Sequence, residues 1–113
     1  MPKNVQSPVL TEHALELIAA RFKLLGEPSR LKLLNALKNG EKNVSELVAA
    51  TGLSQANASR HLQALADAGI LSRRKDGLSV IYKIAEPGIF NLCENVCGSL
   101  QQHYTANAKA FEV

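Results

Sequence analysis

Residues 43–69 read NVSELVAATGLSQANASRHLQALADAG, and their reading decides the fold. They predict a short helix, a tight turn and a second helix. Ser45 is a candidate N-cap for the first, with Leu47, Val48 and Ala50 on its apolar side. Gly52 falls where a left-handed residue closes that helix. Ser54 caps the second helix and Gly69 ends it. Two helices joined by a short Gly-containing turn match the helix-turn-helix, whose second helix enters the DNA major groove. An ordinary helical hairpin in a small core produces the same pattern, so the flanking sequence must decide.

Beyond Gly69 the hydrophobic period changes. Ile70–Lys75 and Leu78–Ile84 flank Asp76-Gly77, a strong short-range hairpin signal. In the second run Leu78, Val80, Tyr82 and Ile84 share one face, opposite Ser79, Ile81 and Lys83. Arg73, Arg74 and Lys75 crowd the tip. A basic-tipped hairpin directly after a recognition helix is a wing, placed to reach the DNA backbone or minor groove.

Upstream, residues 1–10 are polar with two prolines and predict a loose arm. Thr11 caps a helix running to about Leu25, on which Leu15, Ile18, Phe22 and Leu25 form one stripe. Such a stripe on a terminal helix packs on its own domain or on a second subunit. Pro28 suits the first position of a new helix, with Leu31, Leu33, Leu34 and Leu37 on its buried face and Asn39-Gly40 ending it. Glu41–Val44 is short and extended. Downstream, Pro87 starts a last helix on which Ile89, Cys93, Val96 and Leu100 share a stripe beside Phe90, Cys97 and Tyr104. Residues 11–105 thus form one domain, and 106–113 a tail.

With 113 residues, one modest core is the limit, and a dimer would add buried surface. Apolar residues make up 46% and aromatics 4%, so the core is aliphatic and suits helix packing. The net charge of +3 leans towards a polyanionic partner. The excess is local: Arg60, Arg73, Arg74, Lys75 and Lys83 face only Asp67 and Asp76 over residues 60–83. The N-terminus lacks the pattern of a secretory signal, and no apolar stretch nears the roughly 18 residues that span a bilayer. A cytoplasmic protein with two free thiols, and no membrane contact, is therefore expected. Paired carboxylates, a Gly-rich phosphate loop and catalytically spaced histidines are all missing, which argues against an enzyme.

LGEPSRLKLL, residues 25–34, resembles the L-x-x-P-x-R-L-x-I-L signature of the ArsR/SmtB family of winged-helix repressors. Gly52-Leu53-Ser54-Gln55 and His61-Leu62-Gln63-Ala64-Leu65 match its helix-turn-helix, and Gly69-Ile70-Leu71 its entry to the wing. The resemblance covers roughly residues 11 to 100. It implies a mainly α fold with a β-hairpin wing, a winged helix-turn-helix in which three helices and a short extended segment precede the recognition helix, the hairpin and a closing helix. It also implies a homodimer bound to an inverted-repeat operator and released by an effector. The terminal helices would build that dimer through Leu15, Ile18, Phe22, Ile89, Cys93, Val96 and Leu100.

On the second helix, Ala58, Leu62 and Leu65 cluster within about 60° at 100° per residue. The opposite face holds Ala56, Ser59, Arg60 and Gln63, with Gln55 and Asn57 at its margins. Asn and Gln can pair bidentately with adenine and Arg with guanine. Ser54 and Ser59 either cap the helix or touch phosphate. His61 borders the buried face and is a packed or phosphate-bonded side chain rather than a base reader. Arg73, Arg74 and Lys75 are candidate phosphate contacts, which position without reading sequence. A solvated helix face and a solvated turn are the plain alternatives.

The family's two familiar metal sites are absent by this resemblance. Residues 43–47 hold no Cys-x-Cys, and the last helix offers Glu86, Gly88, Ser99 and Gln102, of which only Glu86 could ligate. Cys93 and Cys97 remain, one turn apart on one face. They could grip a soft metal or metalloid such as arsenite, copper(I), lead or cadmium, with His13 or His103 as conceivable further donors. They could instead form a redox or reactive-sulfur switch, or be small apolar residues in a core or interface. A winged-helix adaptor that binds protein is the alternative from another functional class, and salt-sensitive DNA binding separates the two.

Overall fold

Helix starts and stops here are set by local capping chemistry. The computed structural model describes residues 9–104, so most of the expected arm and the whole tail 106–113 lie outside the described residues. Its elements are α1 (Glu12–Leu25), α2 (Pro28–Ala36), β1 (Lys42–Asn43), α3 (Val44–Thr51), α4 (Gln55–Asp67), β2 (Leu71–Asp76), β3 (Ser79–Ile84) and α5 (Gly88–His103). The Thr11 hydroxyl accepts the Ala14 N–H and starts α1. Pro28, whose missing N–H costs a first turn nothing, opens α2.

The cap of α3 is not Ser45. The Asn43 side chain accepts the Glu46 N–H, and the Glu46 carboxylate accepts the Asn43 N–H, both at 2.8 Å. This reciprocal box starts the helix at Val44 and leaves Ser45 exposed within its first turn. Leu47 is buried and Val48 half-buried, but Ala50 is exposed, because so short a helix turns only one edge inward. Gly52 closes α3 at φ 76°, and the Ser54 hydroxyl accepts the Asn57 N–H at the start of α4. At the other end, Gly69 (φ 81°) donates to Ala66 O and Ile70 donates to Leu65 O. This Schellman closure drops Ile70 into the core.

The hairpin's loop is shifted by one residue from the expected Asp76-Gly77. Asp76 pairs with Ser79, so the two loop residues are Gly77 and Leu78. A two-residue hairpin can take its positive φ at the first loop position, which Gly77 supplies at 64°. Arg73, Arg74 and Lys75 therefore lie along β2, opposite Tyr82, Ile81 and Val80, and the fully exposed Leu78 forms the tip. β1 pairs antiparallel with β3, giving a three-stranded sheet in the order β1-β3-β2.

The core is one cluster. Leu33 and Leu34 of α2 and its C-cap Leu37, Leu47 of α3, and Ala58, Leu62 and Leu65 of α4 pack with Leu25, Ile70, Leu71, Tyr82 and Ile89. Two expectations change. Leu31 is 40% exposed, because the space between it and α5 is an open groove rather than packed core. Ile89 is buried in the chain's own core at 4% exposure, so it is not free to face a second subunit. Leu15, Ile18, Phe22, Val96 and Leu100 all remain exposed.

His61 is buried at 3% exposure, and its Nδ1 accepts a hydrogen bond from Arg30 Nε at 3.0 Å. That corrects its place among candidate DNA contacts: it lies on the core-facing arc of α4. Arg30 also donates to Leu24 O at 3.0 Å and pairs with Glu27 at 3.5 Å. Burial lowers the His61 pKa, helped by the Arg60 charge and opposed by Glu27. A neutral imidazole is what lets Nδ1 accept from a guanidinium.

Two measurements follow from this packing. Asn43→Ala lowers the unfolding free energy by about 1 kcal/mol, whereas Ser45→Ala stays within about 0.5 kcal/mol of wild type in urea titration. The lowered His61 pKa means the unfolded chain takes up the proton first as pH falls. Its contribution is fully present above about 6.5 and is lost as pH falls through the folded-state value. Urea midpoints should decline more steeply from pH 7 to 5 in wild type than in His61→Gln.

Candidate nucleic-acid interface

With Ala58, His61, Leu62 and Leu65 committed to the core, the remaining arc of α4 is exposed. Gln55, Ala56, Asn57, Arg60 and Gln63 are open to solvent and Ser59 is half-buried. Arg60 Nη2 donates to Asn57 Oδ1 at 3.2 Å, one turn back on the same face. That bond steadies a guanidinium which still has donors free for a base edge. The Ser54 oxygen is engaged as the cap, leaving its hydroxyl proton available to a phosphate.

The strand period sorts the three basic residues of β2. Arg73 and Lys75 lie opposite Tyr82 and Val80, whose side chains face the core side of the sheet. With Val44, Ser59, Gln63 and the neighbouring Arg74 they line a cleft of about 550 Å³ between wing and recognition helix. Arg74 stands opposite Ile81 in the register and, though it borders the same cleft, its guanidinium pairs with Glu41. It is thus partly neutralised, a distinction the run of three cations did not carry. A second cleft of about 260 Å³ connects Leu78 and Ser79 at the wing tip with Gln55 and Ser59. Amide, hydroxyl and cationic groups therefore share one continuous surface, its acidic counterpart Glu41 lying on the far face of the wing.

Cys93 is exposed and Cys97 half-buried, so neither is a plain core residue within this chain. Both border two grooves. One, of about 330 Å³, runs between α2 and α5 past Leu31, Asn35, Lys38 and Phe90. The other, of about 310 Å³, is lined by Phe22, Leu25, Leu92, Val96 and Leu100. Among the described residues no three His, Cys, Asp or Glu side chains come together as a metal set. The conceivable donors lie elsewhere: His13 sits 3.9 Å from Glu16, and His103 stacks edge-on against Tyr104. Glu86 is held by Arg21 at 3.3 Å.

Sequence reasoning missed Arg21 and Arg30. Arg30 stands in the quoted signature, but its partner lies 31 residues away. Arg21 looks like a solvated helix residue, yet it donates to Ala68 O at 3.2 Å, 47 residues on. Neither partnership leaves a periodic signal.

Comparison with known proteins agrees with this geometry. Residues 27–73 match the family model described as bacterial regulatory protein, arsR family. The chain is 39% identical over 71 residues to the probable mercury resistance operon repressor of Streptomyces lividans, covering 63% of this chain and 57% of that protein. It is 32% identical over 100 residues to a transcriptional repressor SmtB homolog of Synechocystis, covering 88% and 76%. The solution structure of a homodimeric winged helix-turn-helix DNA-binding domain from Mycobacterium bovis superposes with a TM-score of 0.69 at 31% identity, covering 88% and 94%. Among the described residues no helix is long and apolar enough to cross a membrane. The chain belongs to the arsR family of bacterial regulatory proteins, winged helix-turn-helix transcription regulators of the ArsR/SmtB type.

Proposed function

We propose that this chain works in the cytoplasm as a homodimeric repressor on an inverted-repeat DNA operator, released through Cys93 and Cys97. The observation that carries the DNA part is the shared cleft of Ser59, Gln63, Arg73, Arg74 and Lys75. Gln55, Asn57, Arg60 and Gln63 read bases; Ser54, Ser59, Arg73 and Lys75 hold phosphates, with Arg74 joining once it leaves Glu41. Exposed ion pairs are weak enough for that exchange.

Residues 11–105 form the DNA-binding and dimerisation unit. Support for self-association is the exposed apolar face of Leu15, Ile18, Phe22, Val96 and Leu100, together with the homodimeric relative. A dimer sets two recognition helices about one DNA turn apart, roughly 10 bp. Cys93 lies at the edge of that face.

For the effector, two thiolates one turn apart suit a soft metal or metalloid such as arsenite. The name of the Streptomyces relative points to the same soft-metal class. A redox or reactive-sulfur input is the second reading, favoured by the exposure of Cys93 to small oxidants.

The DNA test starts from duplexes that the protein enriches from a random library. Arg60→Ala loses about 1–3 kcal/mol on the enriched duplex and little on random DNA. Equal losses on both would show that Arg60 reads no base. Arg73→Ala weakens both DNAs and lowers the slope of log affinity against log salt by about 1. For the input, arsenite, cadmium and hydrogen peroxide are added in turn to the wild-type complex. Release by a metal or metalloid that disappears in the Cys93→Ser, Cys97→Ser double variant supports soft-metal sensing. Release by peroxide alone supports the redox reading, and normal release of the double variant by the same agents overturns thiol sensing.

A further inference from the structure

Two arginines hold the recognition helix, Arg30 at the buried His61 and Arg21 at its C-terminal end, and Arg21 also reaches the segment that leads into the thiol-bearing helix. Arg21, in the third turn of α1, points one guanidinium nitrogen at Glu86, 3.3 Å and 3.4 Å from its two oxygens. Its other terminal nitrogen donates to Ala68 O at 3.2 Å. Ala68 is the C-cap of α4, where unpaired carbonyls carry the negative end of the helix dipole. Glu86 lies two residues before the start of α5. Because the guanidinium is a rigid planar fork, its two nitrogens hold these partners at a fixed separation, which a lysine could not do. Among the described residues no other side-chain hydrogen bond runs from α1 to α4 or to the entry of α5.

We infer that Arg21 is a positioning residue that ties the pose of the recognition helix to the segment entering α5. Chemistry at Cys93 and Cys97 is then felt at the DNA face. The inference rests on the repressor function proposed above and adds the route of its regulation. Cys93 follows Glu86 by seven residues, and both thiols border the grooves separating α5 from α1 and α2. A group added there pushes α5 away from those helices and pulls Glu86 from Arg21. The guanidinium is then no longer held in place at the Ala68 carbonyl. Binding linkage is reciprocal, so DNA that fixes α4 must in turn restrain α5.

The test reads that reciprocal effect and needs no natural effector. The full chain, reduced, is treated with an aromatic disulfide reagent. A cysteine thiolate attacks one sulfur of the reagent to form a mixed disulfide, and the departing coloured thiolate reports the rate. Rates are taken with and without a saturating duplex enriched by the wild-type protein. Wild type should react at least about fivefold more slowly on DNA. In Arg21→Ala that ratio falls towards one, while the rate without DNA stays at the wild-type value. Glu86→Gln, which keeps Arg21 and its bond to Ala68, gives an intermediate ratio and serves if Arg21→Ala folds poorly. A full wild-type ratio in both variants overturns the inference, as does a wild-type protein that binds DNA with no change in thiol rate. A wild-type protein that enriches no duplex instead overturns the DNA-binding function itself.

Discussion

One constraint governs this molecule: α4 must bury one arc completely and leave the other arc free. Ala58, Leu62 and Leu65 are wholly removed from solvent, and burying apolar side chains of this kind contributes on the order of 1.5–3 kcal/mol each for the larger ones. The burial fixes the rotation of the helix about its axis. Rotation in turn decides that Gln55, Asn57, Arg60 and Gln63 point away from the protein. Had the buried arc been displaced by one residue, about 100°, the polar groups would lie against α2 and α3.

Rotation alone does not set the height or tilt of the helix. Polar contacts do that. Arg30 links the buried His61 to the carbonyl at the end of α1, satisfying three groups that would otherwise be costly inside a core. Arg21 holds the C-terminal end, and the Schellman closure at Gly69 turns the chain into β2. The wing then leaves the core at an angle set by Ile70 and Leu71, both buried. Arg73 and Lys75 consequently border a cleft with Ser59 and Gln63 while remaining open to solvent.

The same architecture leaves a second surface unfinished. α1 and α5 carry exposed Leu15, Ile18, Phe22, Val96 and Leu100, and the grooves behind them end at Cys93 and Cys97. The exposed arc of α4 with the wing and the thiol-bearing face of α5 are thus separate surfaces built around one aliphatic core. A core this tightly packed transmits displacement more readily than it absorbs it.

Most of the fold was legible along the chain, because short-range rules carry it. The apolar period of α4, the glycines at 52, 69 and 77, Ser54 as a cap and Pro28 at a helix start are each set within a few residues. The outward face of α4 followed from the same period. Where local rules offered near-equal choices, a neighbouring local contact decided between them. Asn43 displaced Ser45 as a cap because a glutamate lay three residues ahead to complete the box. Gly77 took the first loop position because Asp76 could pair with Ser79. His61, Ile89 and Arg74 changed roles for a different reason: their partners lie far along the chain, at Arg30, in the assembled core and at Glu41. Periodicity shows which way a side chain faces, but only the packed structure determines what it meets there.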